Sequence, residues 1–227
     1  MGFGAVKSEP RPTMLVGYFG PEGDVAKARE SGADFILVDA RNASVNVTSA
    51  RAAAGDLPLG AWVAAQDSAA AKALRGDGLD FLVVAEDSPA ASLLDDDLGY
   101  VLALPSQPEE IFLRSLEPLS LEALLLHNIP SPLTVAGELE LSRTGALARR
   151  PMICETAAAA SEDDLRCLRA AGVAGVMTAV EGIGQLRDAV KALPQRRARR
   201  EERTVVSLPR GQAAAEEDDG DDDDSLD

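Results

Sequence analysis

The stretch Gly-Ala-Asp-Phe-Ile-Leu-Val at residues 32–38 returns as Gly-Leu-Asp-Phe-Leu-Val-Val at residues 78–84. A looser copy, Gly-Val-Ala-Gly-Val-Met, occupies residues 172–177. The first glycines of the three copies are 46 and then 94 residues apart. These spacings are close to two and four steps of about 23 residues, and a step of that length fits one strand, one helix and two short loops.

Each copy of this repeat predicts the same local structure. The glycine can adopt the left-handed conformation that closes the last turn of a helix. The apolar run that follows is rich in β-branched and large side chains, is too short for a helix, and is nearly continuous. Such a run is typical of a strand that is buried on both faces of a parallel sheet.

Extending this pattern along the chain predicts eight strands that alternate with helices. The strands are predicted at residues 14–19, 35–39, 60–65, 81–85, 100–104, 123–127, 151–156 and 175–180. Helices are predicted near residues 22–31, 46–54, 67–76, 89–97, 108–117, 132–148, 161–171 and 182–193. Strict β–α alternation predicts a parallel sheet, and eight units favour a compact, closed (β/α)8 barrel over residues 13–194. The alternative is an open doubly wound sheet, although no Gly-x-Gly-x-x-Gly motif follows the first strand.

The repeated Gly-x-Asp-Phe strands, together with Ala-Gly-Val-Ala-Gly-Val-Met at residues 171–177, resemble aldolase-type TIM-barrel proteins. The resemblance covers residues 13–194 and implies the α/β barrel architecture without implying one particular enzyme. The chain is also loosely similar to uncharacterised bacterial proteins of this build, which brings no assigned activity.

The flanking segments differ in composition from the barrel. Residues 1–12 form an N-terminal extension, and residues 195–209 form a basic linker that contains five arginines in its first nine positions. Residues 210–227 are mainly alanine, glycine and carboxylates, and cannot bury enough apolar surface to order themselves, so we predict a disordered acidic tail. A basic protein partner of this tail is one expectation.

The charge is concentrated in the tail. The net charge of the chain is −16, and nine carboxylates lie within residues 216–227, which leaves about −7 for the rest. A body of this sign gives no electrostatic reason to expect nucleic-acid binding.

The remaining composition predicts a cytoplasmic protein. There is no apolar run long enough for a membrane span and no leader-like start. The two cysteines, Cys154 and Cys167, are expected to be buried free thiols. Abundant alanine and arginine with only four lysines indicate a GC-rich bacterial genome.

Polar residues at the carboxyl ends of the strands are the candidates for chemistry, because barrels of this kind carry their sites there. The catalytic candidates are Asp39, Glu86, His127 and Glu155. They could hold a divalent cation, or two carboxylates could act as an acid and a base. Alternatively, they could be polar residues that cap helices and line a wet rim. Aligning the two main copies of the repeat indicates that Asp39 and Glu86 need not both point inward.

A second group could bind a substrate. Arg41 could hold an anionic group through its guanidinium, or could form a surface ion pair with Glu86 or Asp87. The other candidates are Asn128, Thr178, Gly182 and Gly184. The absence of a strand-borne lysine argues against Schiff-base chemistry, and the sequence after strands 7 and 8 is a poor match to the usual phosphate-binding cup.

Two functions remain open on the sequence alone. The first is an enzyme that acts on a small polar metabolite by carboxylate acid–base or metal-assisted lyase or isomerase chemistry. The second is a non-catalytic binding or scaffold protein that works through its arginine run and acidic tail. No motif for a nucleotide cofactor is present.

Overall fold

The structure, a computed structural model, describes residues 14–42, 44–64, 66–156 and 160–194. Its strands are β1 (Leu15–Gly20), β2 (Phe35–Ala40), β3 (Leu59–Val63), β4 (Phe81–Val84), β5 (Gly99–Ala103), β6 (Ala123–Leu126), β7 (Met152–Glu155) and β8 (Val173–Thr178). Its α-helices are α1 (Val25–Glu30), α2 (Val47–Ala54), α3 (Ser68–Gly76), α4 (Glu110–Ser115), α5 (Val135–Ala148), α6 (Glu162–Ala170) and α7 (Ile183–Ala192). Short 3₁₀ turns lie at residues 22–24, 90–93 and 180–182.

The eight strands form one closed parallel barrel in chain order. Strand β1 pairs with β2 on one side and with β8 on the other, which closes the sheet. The predicted (β/α)8 barrel is therefore confirmed, and the open doubly wound alternative is wrong. No helix within the described residues has the length and apolarity needed to cross a membrane.

The aspartate of the repeated Gly-x-Asp-Phe motif connects the amino ends of adjacent strands by hydrogen bonds. The Asp34 carboxylate accepts a hydrogen bond from the backbone N–H of Val16 at 2.8 Å, and Asp80 accepts one from Leu59 at 2.8 Å. Each aspartate thus ties the start of its own strand to the start of the preceding one. An arginine from an outer helix pairs with each carboxylate, at 3.5 Å for Arg187 and Asp34.

One predicted helix is wrong. In place of a helix over residues 89–97, the β4–β5 connection has only the 3₁₀ turn at residues 90–93. The Asp95 side chain accepts a hydrogen bond from the backbone N–H of Asp97, and the Asp95 carbonyl accepts one from Leu98. Aspartates that bond to their own neighbouring backbone favour turns over helices, which explains the early end.

The core has two layers because successive side chains of a strand point to opposite faces. One layer fills the barrel and includes Phe35, Leu37, Trp62, Val83, Val101, Leu125 and Met177. The other lies between the strands and the helices, and includes Ile36, Leu82, Leu124 and Val176. The last inward positions of the strands therefore face the carboxyl-end mouth of the barrel.

Several predictions concern residues outside the described ranges. These are the N-terminal extension at residues 1–12, the basic linker at 195–209 and the disordered acidic tail at 210–227. They stay predictions.

Candidate functional site

The mouth of the barrel is built from inward positions on five strands. Phe19 on β1, Asp39 on β2 and Trp62 on β3 continue the inward alternation of the residues below them. His127 directly follows β6, two positions after the inward Leu125, and Glu155 ends β7 two positions after Ile153. The barrel thus brings three of the four predicted catalytic residues, Asp39, His127 and Glu155, to one end of its axis.

Trp62 lies in this mouth and is only 7% exposed. The His127 imidazole stacks on its indole, with ring centroids 4.5 Å apart and planes inclined by 17°. The Phe19 ring lies 6.1 Å away in a tilted arrangement. These rings form an aromatic floor, and the polar groups of the mouth are held on it.

Asp39 and Arg41 form a two-point ion pair above this floor. Arg41 Nε and Nη2 donate to the two carboxylate oxygens of Asp39 at 2.8 and 2.7 Å. The Arg41 guanidinium carbon lies 4.1 Å from the Trp62 ring centroid, a distance typical of a cation–π contact. The predicted alternative of an ion pair with Glu86 or Asp87 is wrong, because Asp39 is two residues away on the same strand end and captures the guanidinium.

This ion pair fixes the charge of both partners. The hydrogen bonds from Arg41 lower the pKa of Asp39 below its ordinary value, although partial burial opposes the change. The hydrogen bond to Asp39 correspondingly raises the pKa of Arg41. Asp39 is therefore a permanent anion at neutral pH, which suits a positioning role better than that of a general acid.

His127 and Glu155 form the second polar pair. His127 Nδ1 lies 3.8 Å from Glu155 Oε2, and the two side chains are 18% and 36% exposed. A carboxylate at this distance helps to orient the imidazole ring. The pair places an imidazole and a carboxylate side by side at the mouth.

Glu86 is separated from these pairs. It lies beyond the end of β4 and is exposed, whereas the preceding Ala85 takes the next inward position. Glu86 and Asp87 do line one open cleft of about 320 Å³ with Trp62 and His127. Glu86 is thus a rim residue that a bound molecule could reach from the cleft.

The predicted substrate-binding residues are scattered. Asn128 is exposed, has a left-handed backbone with φ of 55°, and follows His127. Thr178 is buried on the helix-facing side of β8, next to Met177, which points into the barrel. Gly182 and Gly184 lie at the start of α7, where a side chain added to Gly184 would meet nothing within 4 Å. The structure therefore brings only Arg41 to the polar pairs of the mouth.

A metal centre finds no support in the described part of the chain. No three histidine, cysteine or acidic side chains there are grouped closely enough to hold an ion. The Asp39 oxygens are bound to Arg41, and Glu86 lies apart on the rim, which explains why the predicted set does not converge.

Sequence reasoning missed the two aromatic residues of the floor. Phe19 lies at the end of the predicted first strand and Trp62 within the predicted third strand, and neither is among the candidate residues. The available signal was alternation: Trp62 is two positions after Gly60 and near the carboxyl end of its strand, which directs the only tryptophan of the chain into the mouth.

Comparison with solved structures supports the architecture. KGPDC from Streptococcus mutans aligns with a TM-score of 0.62 at 10% identity, over 78% of this chain and 97% of that one. Phosphoribosyl anthranilate isomerase from Thermus thermophilus aligns with a TM-score of 0.60 at 13% identity, over 80% and 100%. An HpcH/HpaI aldolase from Desulfitobacterium hafniense aligns with a TM-score of 0.55 at 11% identity, over 80% and 94%.

These likenesses confirm the resemblance to aldolase-type TIM-barrel proteins at the level of fold. The structural neighbours include an aldolase and an isomerase, and at such identities what they share with this chain is the barrel. No family model and no curated protein match the sequence.

Proposed function

We propose that this barrel is a lyase or isomerase that acts on a small polar metabolite by proton transfer at His127. The observation that carries the proposal is the His127–Glu155 pair, 3.8 Å apart at the carboxyl end of the strands. A histidine in this setting can take a proton from a substrate carbon or oxygen and return it elsewhere. Glu155 would stabilise the imidazolium between the two steps.

Arg41 would bind an anionic group of the substrate, such as a carboxylate. Asp39 occupies Nε and Nη2, while Nη1 has no hydrogen-bond partner among the described residues. The ion pair and the Trp62 contact hold the guanidinium in one place, so that little freedom is lost when a substrate binds. Asp39 and Trp62 are positioning residues in this scheme.

The proposal assigns the chemistry to histidine and carboxylate. The described lysines Lys27, Lys72 and Lys191 lie on helices α1, α3 and α7, away from the strand ends. A Schiff base is therefore not part of the scheme. We further propose a cytoplasmic location, which suits the free thiols of Cys154 and Cys167.

A non-catalytic binding protein is the second candidate. The Trp62 side chain is largely buried in the mouth, Asp39 pairs with Arg41, and the cleft that Trp62 lines is open. In that case the mouth would have no catalytic role, and the protein would act by binding a partner through its acidic tail. A basic protein remains our proposal for such a partner.

Deuterium exchange tests proton transfer without a known product. The full-length protein would be incubated in D₂O with a panel of small hydroxy and keto acids, and incorporation at carbon would be measured by mass spectrometry. We expect at least one acid to exchange, and His127→Gln to slow the exchange by about 10²-fold or more.

Two further variants separate the roles. Glu155→Gln should also slow the exchange, whereas Glu122→Gln, exposed at the amino end of β6 and opposite the mouth, should leave the rate within about twofold. Exchange that persists unchanged in His127→Gln would refute the proposal. If no acid of the panel exchanges, and none shifts the NMR resonances of His127, the result would support the second candidate, a non-catalytic binding protein.

A further inference from the structure

A second cavity lies beside the mouth, on the helix side of β6. It has a volume of about 220 Å³ and lies between the ends of β5 and β6, the loops that follow them, and helix α5. Its walls are mainly aliphatic, from Leu104, Leu126, Ile129, Leu133 and Leu141, and the polar residues His127 and Asn128 also line it. A cavity of about 150 Å³ lined by apolar side chains accepts benzene, so by volume this one has room for about eight or nine non-hydrogen atoms.

One polar atom in this apolar setting has no partner. Thr144 lines the cavity from α5 and is 1% exposed, and its Oγ1 makes no hydrogen bond to any described residue. A buried hydroxyl without a partner is destabilising, because the hydrogen bonds that it made to water are not replaced. In helices, a threonine hydroxyl usually bonds to a carbonyl of the preceding turn, so its unpaired state here is a specific feature of the site.

The walls of the cavity are held in place by polar contacts outside it. Arg143 Nη2 donates to the Pro108 carbonyl at 3.1 Å, which ties α5 to the β5–α4 loop. The Leu133 N–H donates to the Asp164 carboxylate at 2.8 Å, which ties the β6–α5 loop to α6. Pro108 and Leu133 both line the cavity, so its shape is set before anything binds.

The charges near the cavity are already matched. Glu140 reaches the lining, but its carboxylate is bound by Arg143 at 2.6 Å. A charged ligand would gain no free counter-ion from this pair and would lose its hydration. The lining therefore favours a neutral molecule.

We propose that this cavity is a binding site for a neutral, largely apolar small molecule with one hydroxyl or carbonyl group, which pairs with Thr144 Oγ1. The site adjoins the proton-transfer site, because His127 also lines the cavity, but its ligand lies on the helix side of β6 and pairs with Thr144 instead of Arg41 or Glu155. Its polar anchor is a hydroxyl that can both donate and accept, so either kind of polar group satisfies it.

A matched pair of probes tests the anchor. The full-length protein, labelled with ¹³C at threonine methyl groups, would be titrated with 4-ethylphenol and with 4-ethyltoluene, which differ only by a hydroxyl in place of a methyl group. We expect a saturable shift of the Thr144 methyl resonance with both probes, and binding about three- to tenfold tighter for the phenol.

Three variants test whether the Thr144 hydroxyl causes the tighter binding of the phenol. Thr144→Val keeps the shape and should abolish the preference for the phenol, whereas Thr144→Ser should keep it. Thr48→Val, on the exposed face of α2, should change neither affinity. For Thr144→Val, where the threonine label is lost, the probe's own resonances would report binding.

Two results would overturn the proposal. One is the absence of a saturable response to either probe, as expected of a cavity that holds only water. The other is an unchanged preference for the phenol in Thr144→Val. Neither result would bear on proton transfer at His127, which is measured separately by deuterium exchange.

Discussion

The ring of Phe35 lies in the space over Gly17 that a side chain at that position would need. The two residues are register partners on β1 and β2, and a Cβ atom on Gly17 would be 2.1 Å from Phe35 Cζ. The same relationship joins Gly60 on β3 to Phe81 on β4, again with 2.1 Å to the ring. Each inward phenylalanine of the repeat thus fills the gap left by a glycine on the preceding strand.

This packing predicts that Gly17→Ala destabilises the barrel. The added methyl group must displace the Phe35 ring inside a filled core, which costs about 1–3 kcal/mol. Urea denaturation, followed by the fluorescence of Trp62, would measure the loss. Adding Phe35→Leu to Gly17→Ala should recover part of it, because the smaller side chain vacates the space over residue 17.

Gly184→Ala is the matched control. A Cβ atom there meets nothing within 4 Å, and the residue lies within α7, where alanine is favoured over glycine by up to about 1 kcal/mol. The variant should be as stable as the natural chain or more so. Equal losses in the two glycine variants would show that the Phe35 contact is not the cause.

The strands of the barrel were largely predictable from the sequence because they are short apolar runs at a regular spacing. The repeat phrase itself encodes their stacking: the glycine closes a helix, the aspartate ties two strands, and the phenylalanine fills the space over a glycine. The predicted helix over residues 89–97 was wrong because local hydrogen bonds of Asp95 end it after one turn.

The site was less predictable, because its pairs depend on side-chain direction across the barrel. Alternation places Asp39 and His127 inward, but the capture of Asp39 by Arg41 depends on a turn of the backbone after β2. Similarly, the approach of His127 to Glu155 depends on the closure of β6 against β7. Composition and spacing do not fix such contacts.

The Asp39–Arg41 pair should make the free energy of unfolding depend on pH in the acidic range. Arg41 lowers the pKa of Asp39 in the folded state. The pair therefore stabilises the fold at pH values above the pKa of Asp39 in the unfolded chain, about 3.9. This contribution is lost as the pH falls through the pKa of Asp39 in the folded state. Arg41→Met should therefore cost up to about 1 kcal/mol at pH 6 and less at pH 3. Urea denaturation at the two pH values would measure the difference.

Asp39→Asn provides the check on this prediction. It should remove the same acid-dependent contribution, and combining it with Arg41→Met should remove no more. A double variant whose acid dependence falls further would show that another carboxylate is responsible.

The Cys154 thiol should be inert in the folded protein. It is fully buried, and burial raises its pKa to about 12, so almost no thiolate forms at pH 8. In a Cys167→Ser variant, where Cys154 is the remaining thiol, modification by a disulfide reagent should await unfolding. In Cys154→Ala, the partly exposed Cys167 should react at least about tenfold faster, although its pKa is also raised. Equal rates would contradict the burial of Cys154.

Asp164 should be a stabilising residue with a defined pH range. The carboxylate is buried at the start of α6, and accepts hydrogen bonds from the Leu133 N–H at 2.8 Å and the Ser131 hydroxyl at 3.0 Å. The Leu133 N–H is the main cause of the lowered pKa of this carboxyl group. The stabilising contribution of Asp164 is therefore complete at pH values above the pKa of the aspartate in the unfolded chain, about 3.9. It is lost as the pH falls through the lower pKa of the folded state.

Asp164→Asn should cost about 1–3 kcal/mol at pH 7, because an amide has one acceptor oxygen for two donors. The penalty should shrink below pH 4, where the natural carboxylate loses its advantage. The neighbouring Asp163→Asn is the control, since that side chain is 91% exposed and the change should stay within about 0.5 kcal/mol. Equal penalties for the two variants would contradict a role for the hydrogen bonds to the β6–α5 loop. They would instead show that both aspartates stabilise the barrel through their negative charge at the start of α6.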